Sequence, residues 1–165
     1  MFVAFDQISD SSRVWVYQLD RSLSEEEGKI VHDTLRAFCD QWSAHGSPLV
    51  CSYAIQEDQF LILTVDENAS NASGCSIDGS VRVLKDLGQK MKIDFLSREI
   101  PFQIDGEVKL YPMAALKDLF QVGALNANSI TFNNLVASKG EWKTGWRIAV
   151  HSSWMRKYLP KSTLA

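Results

Sequence analysis

The chain has 165 residues, of which 45% are hydrophobic and 22% charged, the composition of an ordinary globular protein. That composition excludes a disordered chain, a collagen-like chain and a coiled-coil rod, and a chain of this length buries about 70% of the surface its unfolded form exposes without a disulfide or metal staple. The formal charge of -3 argues against a nucleic-acid protein built on global positive charge.

Residues 1–12 carry neither a basic segment nor an apolar core of signal-peptide length, and no window approaches 18 uncharged apolar residues. A cytoplasmic location without membrane spans is the expectation. Arg13-Val-Trp-Val-Tyr-Gln-Leu19 is rich in β-branched and aromatic residues and predicts a strand. Ser24 followed by Glu27 is a capping-box pattern that starts a helix. Val31, Leu35, Phe38 and Trp42 then mark one helical face, which Gly46 and Pro48 are expected to close. Cys51, Tyr53 and Ile55 alternate with Ser52 and Ala54, the pattern of a half-buried strand. Phe60 to Val65 is a continuous apolar run, which suits a central strand covered on both faces. After a polar loop, Ile77, Val81, Leu84, Leu87 and Met91 mark a second helix. Ile100–Ile104 and Val108–Tyr111 flank Asp105-Gly106, a strong hairpin signal.

The order β-α-β-β-α-β predicts an α+β fold with a ferredoxin-like core over about 13–111, the strand at 100–104 completing its sheet. A C-terminal α/β extension follows over about 112–165, within a single domain spanning 1–165. Its expected elements are a helix over 113–121 stopped by Gly123, strands over 129–136 and 142–150, and a short helix over 154–159. Residues 160–165 are expected to fray. Residues 139–165 hold six basic residues and one acidic residue, whereas the preceding residues hold 11 basic and 19 acidic.

Four features could carry chemistry. Ser73 is a candidate N-cap, which puts Gly74, Cys75, Ser76 and Asp78 at the start of the second helix. Backbone N–H groups there lack intrahelical partners, so they can stabilise a thiolate or bind an anion. The plainer reading is a capped helix start, and Asp66 and Glu67 nearby would oppose an anion. His45 follows Trp42 and is expected at the C-terminal end of the first helix. A Cys75–His45 dyad would need the two within hydrogen-bond reach. The topology is expected to run the two helices parallel and put His45 about 30 Å away, a helix of about 20 residues being that long. The same expectation brings Arg21 near Cys75, where it would favour an anion. Asn133-Asn134, set in Thr131-Phe132-Asn133-Asn134-Leu135, predicts a bulge or turn, with ligand hydrogen bonding as the alternative. Trp142, Trp146, Trp154 and Tyr158 interleave with Lys143, Arg147, Arg156 and Lys157. Such a stripe can contact nucleic acid, or simply cover the sheet with its rings.

Three cysteines without a CxxC pair, and three scattered histidines, argue against a disulfide framework or a metal centre. There is no phosphate-binding GxxxxGK[ST], no GxGxxG after a strand, no HExxH and no GxSxG. No cofactor is expected.

The chain resembles a family of small, uncharacterised bacterial proteins. The residues that carry the resemblance are Arg13-Val-Trp-Val-Tyr17, Gln41-Trp42 with Ala44-His45-Gly46, Val65-Asp66-Glu67, Ala72 through Asp78, and Phe132-Asn133-Asn134. It spans roughly residues 13 to 154 and implies no activity. The label ABC-transporter ATPase attached to some members does not fit a chain with neither Walker A nor LSGGQ-type motif. The expected function is a non-catalytic binding or interaction protein, with a homodimer suggested by fold analogy alone. The alternatives are a thiol-dependent enzyme or redox sensor using Cys75, and nucleic-acid contact through the basic C-terminal stripe.

Overall fold

The structure is a computed structural model that describes residues 1–161, so most of the segment expected to fray lies outside the described residues. Strand β1 (Arg13–Gln18) forms as its β-branched and aromatic residues predict. Helix α1 (Glu25–Gln41) starts on the expected capping box. Ser24 Oγ accepts the Glu27 N–H, and the Glu27 carboxylate accepts the Ser24 N–H. Val31, Leu35 and Cys39 form its buried face.

The helix stops at Gln41, short of the expected glycine stop. Ser43–Ala44 (β2) and Ser47–Pro48 (β3) instead pair as a tight hairpin. Its two turn residues, His45 and Gly46, have φ of 50° and 80°. Two residues at positive φ match the right-handed twist of paired strands, and glycine takes that conformation without strain. His45 is therefore an exposed turn residue and not the last step of a helical face.

β4 (Val50–Gln56) and β5 (Phe60–Asp66) follow, joined by a turn in which Glu57 and Asp58 both have positive φ. β5 lies between β1 and β4 and is antiparallel to both. Phe60 to Val65 are all buried, as the continuous apolar run predicts for a strand covered on both faces. Helix α2 (Gly74–Met91) packs beside α1 on one face of this sheet. The buried positions of its first half are Ser76 and Ser80, with Ile77 and Val81 only half-buried.

The two helices run antiparallel, which corrects the expectation above. The Trp42 indole, at the end of α1, donates to the Ser76 carbonyl at the start of α2, across 2.9 Å. Arg21, just before α1, reaches the Met91 carbonyl at the end of α2, across 3.3 Å. The reason is strand direction: α1 leaves the Gln18 end of β1, α2 leaves the Asp66 end of β5, and β5 runs opposite to β1.

The strand expected to complete this sheet joins a second one. β6 (Ile100–Ile104) pairs with β7 (Glu107–Tyr111) and β8 (Ile130–Phe132), and β9 (Arg147–Ala149) adds to β8. All the pairs are antiparallel, in the order β7-β6-β8-β9. The chain begins along the outer edge of β1: Asp20 N–H donates to Asp94 O and Ser97 N–H to Gln18 O. It then turns away. The other end of that edge is taken by residues 137–139, with Val14 N–H donating to Ala137 O and Lys139 N–H to Ser12 O. A fourth full strand has no room on β1.

Pro112 leads into a 3-10 turn and helix α3 (Leu116–Gln121), stopped near Gly123 at φ 78°. Phe102, Leu116, Phe120, Val150 and Met155 form the core of this half. The strand expected over 142–150 begins as the end of a helix, α4 (Lys139–Gly145), and only Arg147–Ala149 (β9) within it is strand. Ser138 caps α4 by accepting the Glu141 N–H, a local signal that outweighs the β-branched residues downstream. Trp142 and Trp146 then fall four residues apart and pack onto the far face of the first sheet. There they meet Val14, Ile62, Phe60 and Phe132. The C-terminal segment thus covers that face, on whose strands Ser52 and Thr64 are completely buried. Among the described residues, no helix is long and apolar enough to cross a membrane.

Candidate functional site

The start of α2 is a well-closed cap. Ser76 N–H donates to Ser73 Oγ and Ser73 N–H to Ser76 Oγ, at 3.2 and 2.8 Å. The serine hydroxyls thus take up one amide at the helix start and tie the N-cap to it. Gly74, Cys75 and Asp78 are exposed, and no hydrogen bond reaches the Cys75 thiol among the described residues. Asp66 and Glu67 build the preceding loop. Asp66 accepts from Asn68, and Glu67 accepts the Ala72 N–H while facing Arg13 at 3.5 Å.

Antiparallel helices change which residues share this end of the molecule. The hairpin that carries His45 follows Trp42, whose indole reaches Ser76, so the hairpin belongs to the Cys75 end of α2 and not to the far end as the sequence argument held. No hydrogen bond joins His45 to Cys75. Arg21 lies at the opposite end of α2, contrary to expectation. It grips the Glu27 carboxylate through two hydrogen bonds of 2.8 and 2.9 Å. That grip holds the Glu27 carboxyl far below its ordinary range, at about 2, helped by the Ser24 N–H.

The other two thiols are fully buried. Cys51 Sγ donates to the Cys39 carbonyl at 3.3 Å. The neighbouring Cys51 thiol, with burial, pushes the Cys39 pKa strongly up, so it keeps its proton. No group of three or more His, Cys, Asp or Glu residues among those described could hold a metal ion.

The Asn133–Asn134 pair has a different setting. β8 ends at Phe132, and Asn133 makes the turn: its N–H donates to Trp146 O and its Oδ1 accepts the Leu135 N–H. Asn134 links the two sheets. The Trp146 indole donates to Asn134 Oδ1 at 3.0 Å, and Asn134 Nδ2 donates to Gln18 Oε1 at 3.1 Å. Gln18 Nε2 in turn donates to Glu99 O at 2.7 Å. Each amide in this relay donates at one end and accepts at the other, so its direction is fixed.

The relay suspends the turn over a gap between the sheets. On one side lies a cleft of about 550 Å³, with Ile100, Pro101, Phe132, Leu135, Ile148 and Trp154 as its apolar lining. Arg98 and Glu99 also line it. On the other side a groove of about 580 Å³ follows the edge of β1 and shares Asn134 and Leu135 with the cleft. Leu135 is 91% exposed and Trp154 49% exposed. Large apolar side chains held in water beside an apolar cleft are a feature of binding surfaces. Ser152 Oγ, also on the lining, lies 3.1 Å from His151 Nδ1. Both residues are exposed, and among the described residues no carboxylate bonds the ring, so no third group there orients it as a catalytic base.

The aromatic–basic stripe divides. Trp146 is buried and Trp142 half-buried. Lys143 pairs with Asp10 and Arg147 with Glu57. Lys139, 2% exposed, donates to Ile8 O at 2.6 Å and to Asp6 O at 3.4 Å, pinning the N-terminal segment. Arg156 and Lys157 remain exposed without a carboxylate partner among the described residues. Sequence reasoning singled out Asn133, Asn134 and Trp154 but missed Gln18, Arg98 and Leu135. No local pattern marks those three, because Gln18 is bonded to a residue far away in the chain and Arg98 and Leu135 matter only through the cleft that distant segments build.

No protein-family model, no curated protein and no solved structure matches the chain.

Proposed function

We propose that the chain is a non-catalytic binding or interaction protein whose ligand seat is the cleft between the two sheets. The observation that carries this reading is Leu135 and Trp154 held in solvent at the edge of an apolar cavity of about 550 Å³. Covering such side chains gains roughly 25 cal/mol for each Å² removed from water. The amides beside the cleft bind one another, which suits a rigid seat rather than a reacting centre. The same proposal includes a cytoplasmic location and kinship with the small bacterial proteins named above. It also reads the layer of β1, β4, β5, α1 and α2 as a ferredoxin-like core without its fourth strand.

The test is backbone amide NMR of the labelled protein against a small-molecule fragment set and a short-peptide set. Shift changes should concentrate at Gln18, Ile100, Leu135 and Trp154, and Trp154→Ala should remove them while the melting curve stays unchanged. Changes centred on Cys75 and His45 would overturn the reading in favour of the thiol.

A further inference from the structure

We infer that the cleft takes an acidic, hydrophobic peptide segment of a partner protein, apolar side chains entering beside Trp154 and carboxylates meeting Arg98 and Lys157. This rests on the cleft being the binding seat proposed above. The apolar half of the match is the lining itself, whose volume accommodates a few peptide side chains.

The charged half comes from the rim. Arg98 lines the cleft, is exposed, and has no ion pair among the described residues. The Lys157 ammonium stands 5.2 Å from the Trp154 ring centre and 5.3 Å from that of Tyr158. A cation over an aromatic face still offers its remaining donors to a carboxylate. Arg156 is exposed beside it. After Glu141 the chain contains no acidic residue, and the two charged side chains of the segment Trp154–Tyr158, Arg156 and Lys157, are both basic. Among the described residues the lining itself carries Arg98 and Glu99, and Lys157 adds a second cation over the ring of the lining residue Trp154.

A single-stranded nucleic acid would meet the same cations, but it needs a series of open aromatic faces for its bases. Of the tryptophans in the C-terminal stripe, Trp154 is exposed while Trp142 and Trp146 pack inside. An aliphatic-walled cleft with one open indole fits side chains of a peptide better.

The experiment selects a display library of random short peptides on the full-length chain, with Trp154→Ala as the counter-target. Enriched sequences should combine Leu, Phe or Trp with Asp or Glu. They should lose about tenfold in affinity on Trp154→Ala and severalfold on the double variant Arg98→Gln/Lys157→Gln, and weaken as salt rises. Melting curves of each variant establish that the fold is intact, and Trp154→Phe should retain most of the affinity. Trp154-dependent peptides without acidic bias would overturn this inference and leave the cleft as a binding seat. Failure to enrich any Trp154-dependent peptide would overturn both. Displacement of the selected peptides by a single-stranded oligonucleotide that binds more tightly would overturn the peptide in favour of nucleic acid.

Discussion

The Trp42 indole N–H donates to the Ser76 carbonyl at 2.9 Å, which fastens the end of the first helix to the start of the second. The bond is buried, and it sets which side chains share that end of the molecule. Trp42 and the strand Ser43–Ala44 meet α2 at the end that carries Cys75, while Arg21 is a full helix away, bonded to the Met91 carbonyl.

Thiol chemistry should separate the three cysteines. Cys75 is exposed, whereas Cys39 and Cys51 are fully buried. An aromatic disulfide reagent should titrate one thiol in the native protein and three in denaturant, and Cys75→Ser should abolish the native reaction. A second fast native thiol would contradict the packing of Cys39 against Cys51. The alkylation rate of Cys75 against pH, with and without His45→Ala, shows whether the shared end of the helices activates the thiol. A profile indifferent to His45 would remove the dyad.

Lys139 should be a strong stability determinant although it is charged. Its buried ammonium satisfies the carbonyls of Ile8 and Asp6 and faces Asp10 at 3.6 Å. Lys139→Ala leaves the Ile8 carbonyl unpaired in a buried setting and opens space beneath Phe5, so a loss of about 2–3 kcal/mol is expected in urea unfolding. Lys139→Met, which restores bulk but no donors, should recover only part of it. A change below about 0.5 kcal/mol, the ordinary range for a surface substitution, would refute the pinning role.

Glu27 makes acid stability measurable at one site. Its carboxyl, with an ordinary value of 4.5, is held at about 2 by Arg21 and the Ser24 N–H. A carboxyl depressed in the folded state contributes stability that is fully present above its unfolded value. That contribution is lost as pH falls from about 4.5 towards about 2. The melting temperature of the wild type should therefore fall across that window more steeply than that of Glu27→Gln. Parallel curves would show that Arg21 does not grip Glu27 in solution.

The Trp146–Asn134–Gln18 relay predicts a directional effect. Asn134→Ala leaves the Trp146 indole N–H and Gln18 Oε1 without partners, at a cost of about 2 kcal/mol. Asn134→Asp keeps an acceptor for Trp146 but replaces the donor facing Gln18 Oε1 with a charged acceptor. If the direction is as described, Asp should be no better tolerated than Ala at neutral pH. Stability equal to wild type in Asn134→Asp would refute the relay.

Much of the local structure could be read from residues close in the chain. The capping box of Ser24 and Glu27, the cap at Ser73 and the Asp105-Gly106 hairpin each depend on atoms within a few residues. The both-sided burial of β5 could be read from six consecutive apolar residues, since no alternation is possible for a strand without a wet face. The helix at 139–145 was legible too, through Ser138 as its cap, but the β-branched and aromatic residues that follow pointed to a strand.

By itself, then, the sequence determined the mixed α/β content, the capping box of α1, the cap of α2, the Asp105-Gly106 turn and the two-sided burial of β5. The tertiary structure alone decided the sheet to which β6 belongs, because residues 97 and 137, far apart in the chain, occupy the same edge of β1. It also decided where the cleft lies. Gln18 and Asn134 are separated by 116 positions, and neither has a local pattern that announces the other. Their bond forms because Trp142 and Trp146 bury more apolar surface against the far face of the first sheet than they would in a separate extension. That packing brings the two sheets together and leaves Leu135 and Trp154 in water at the seam.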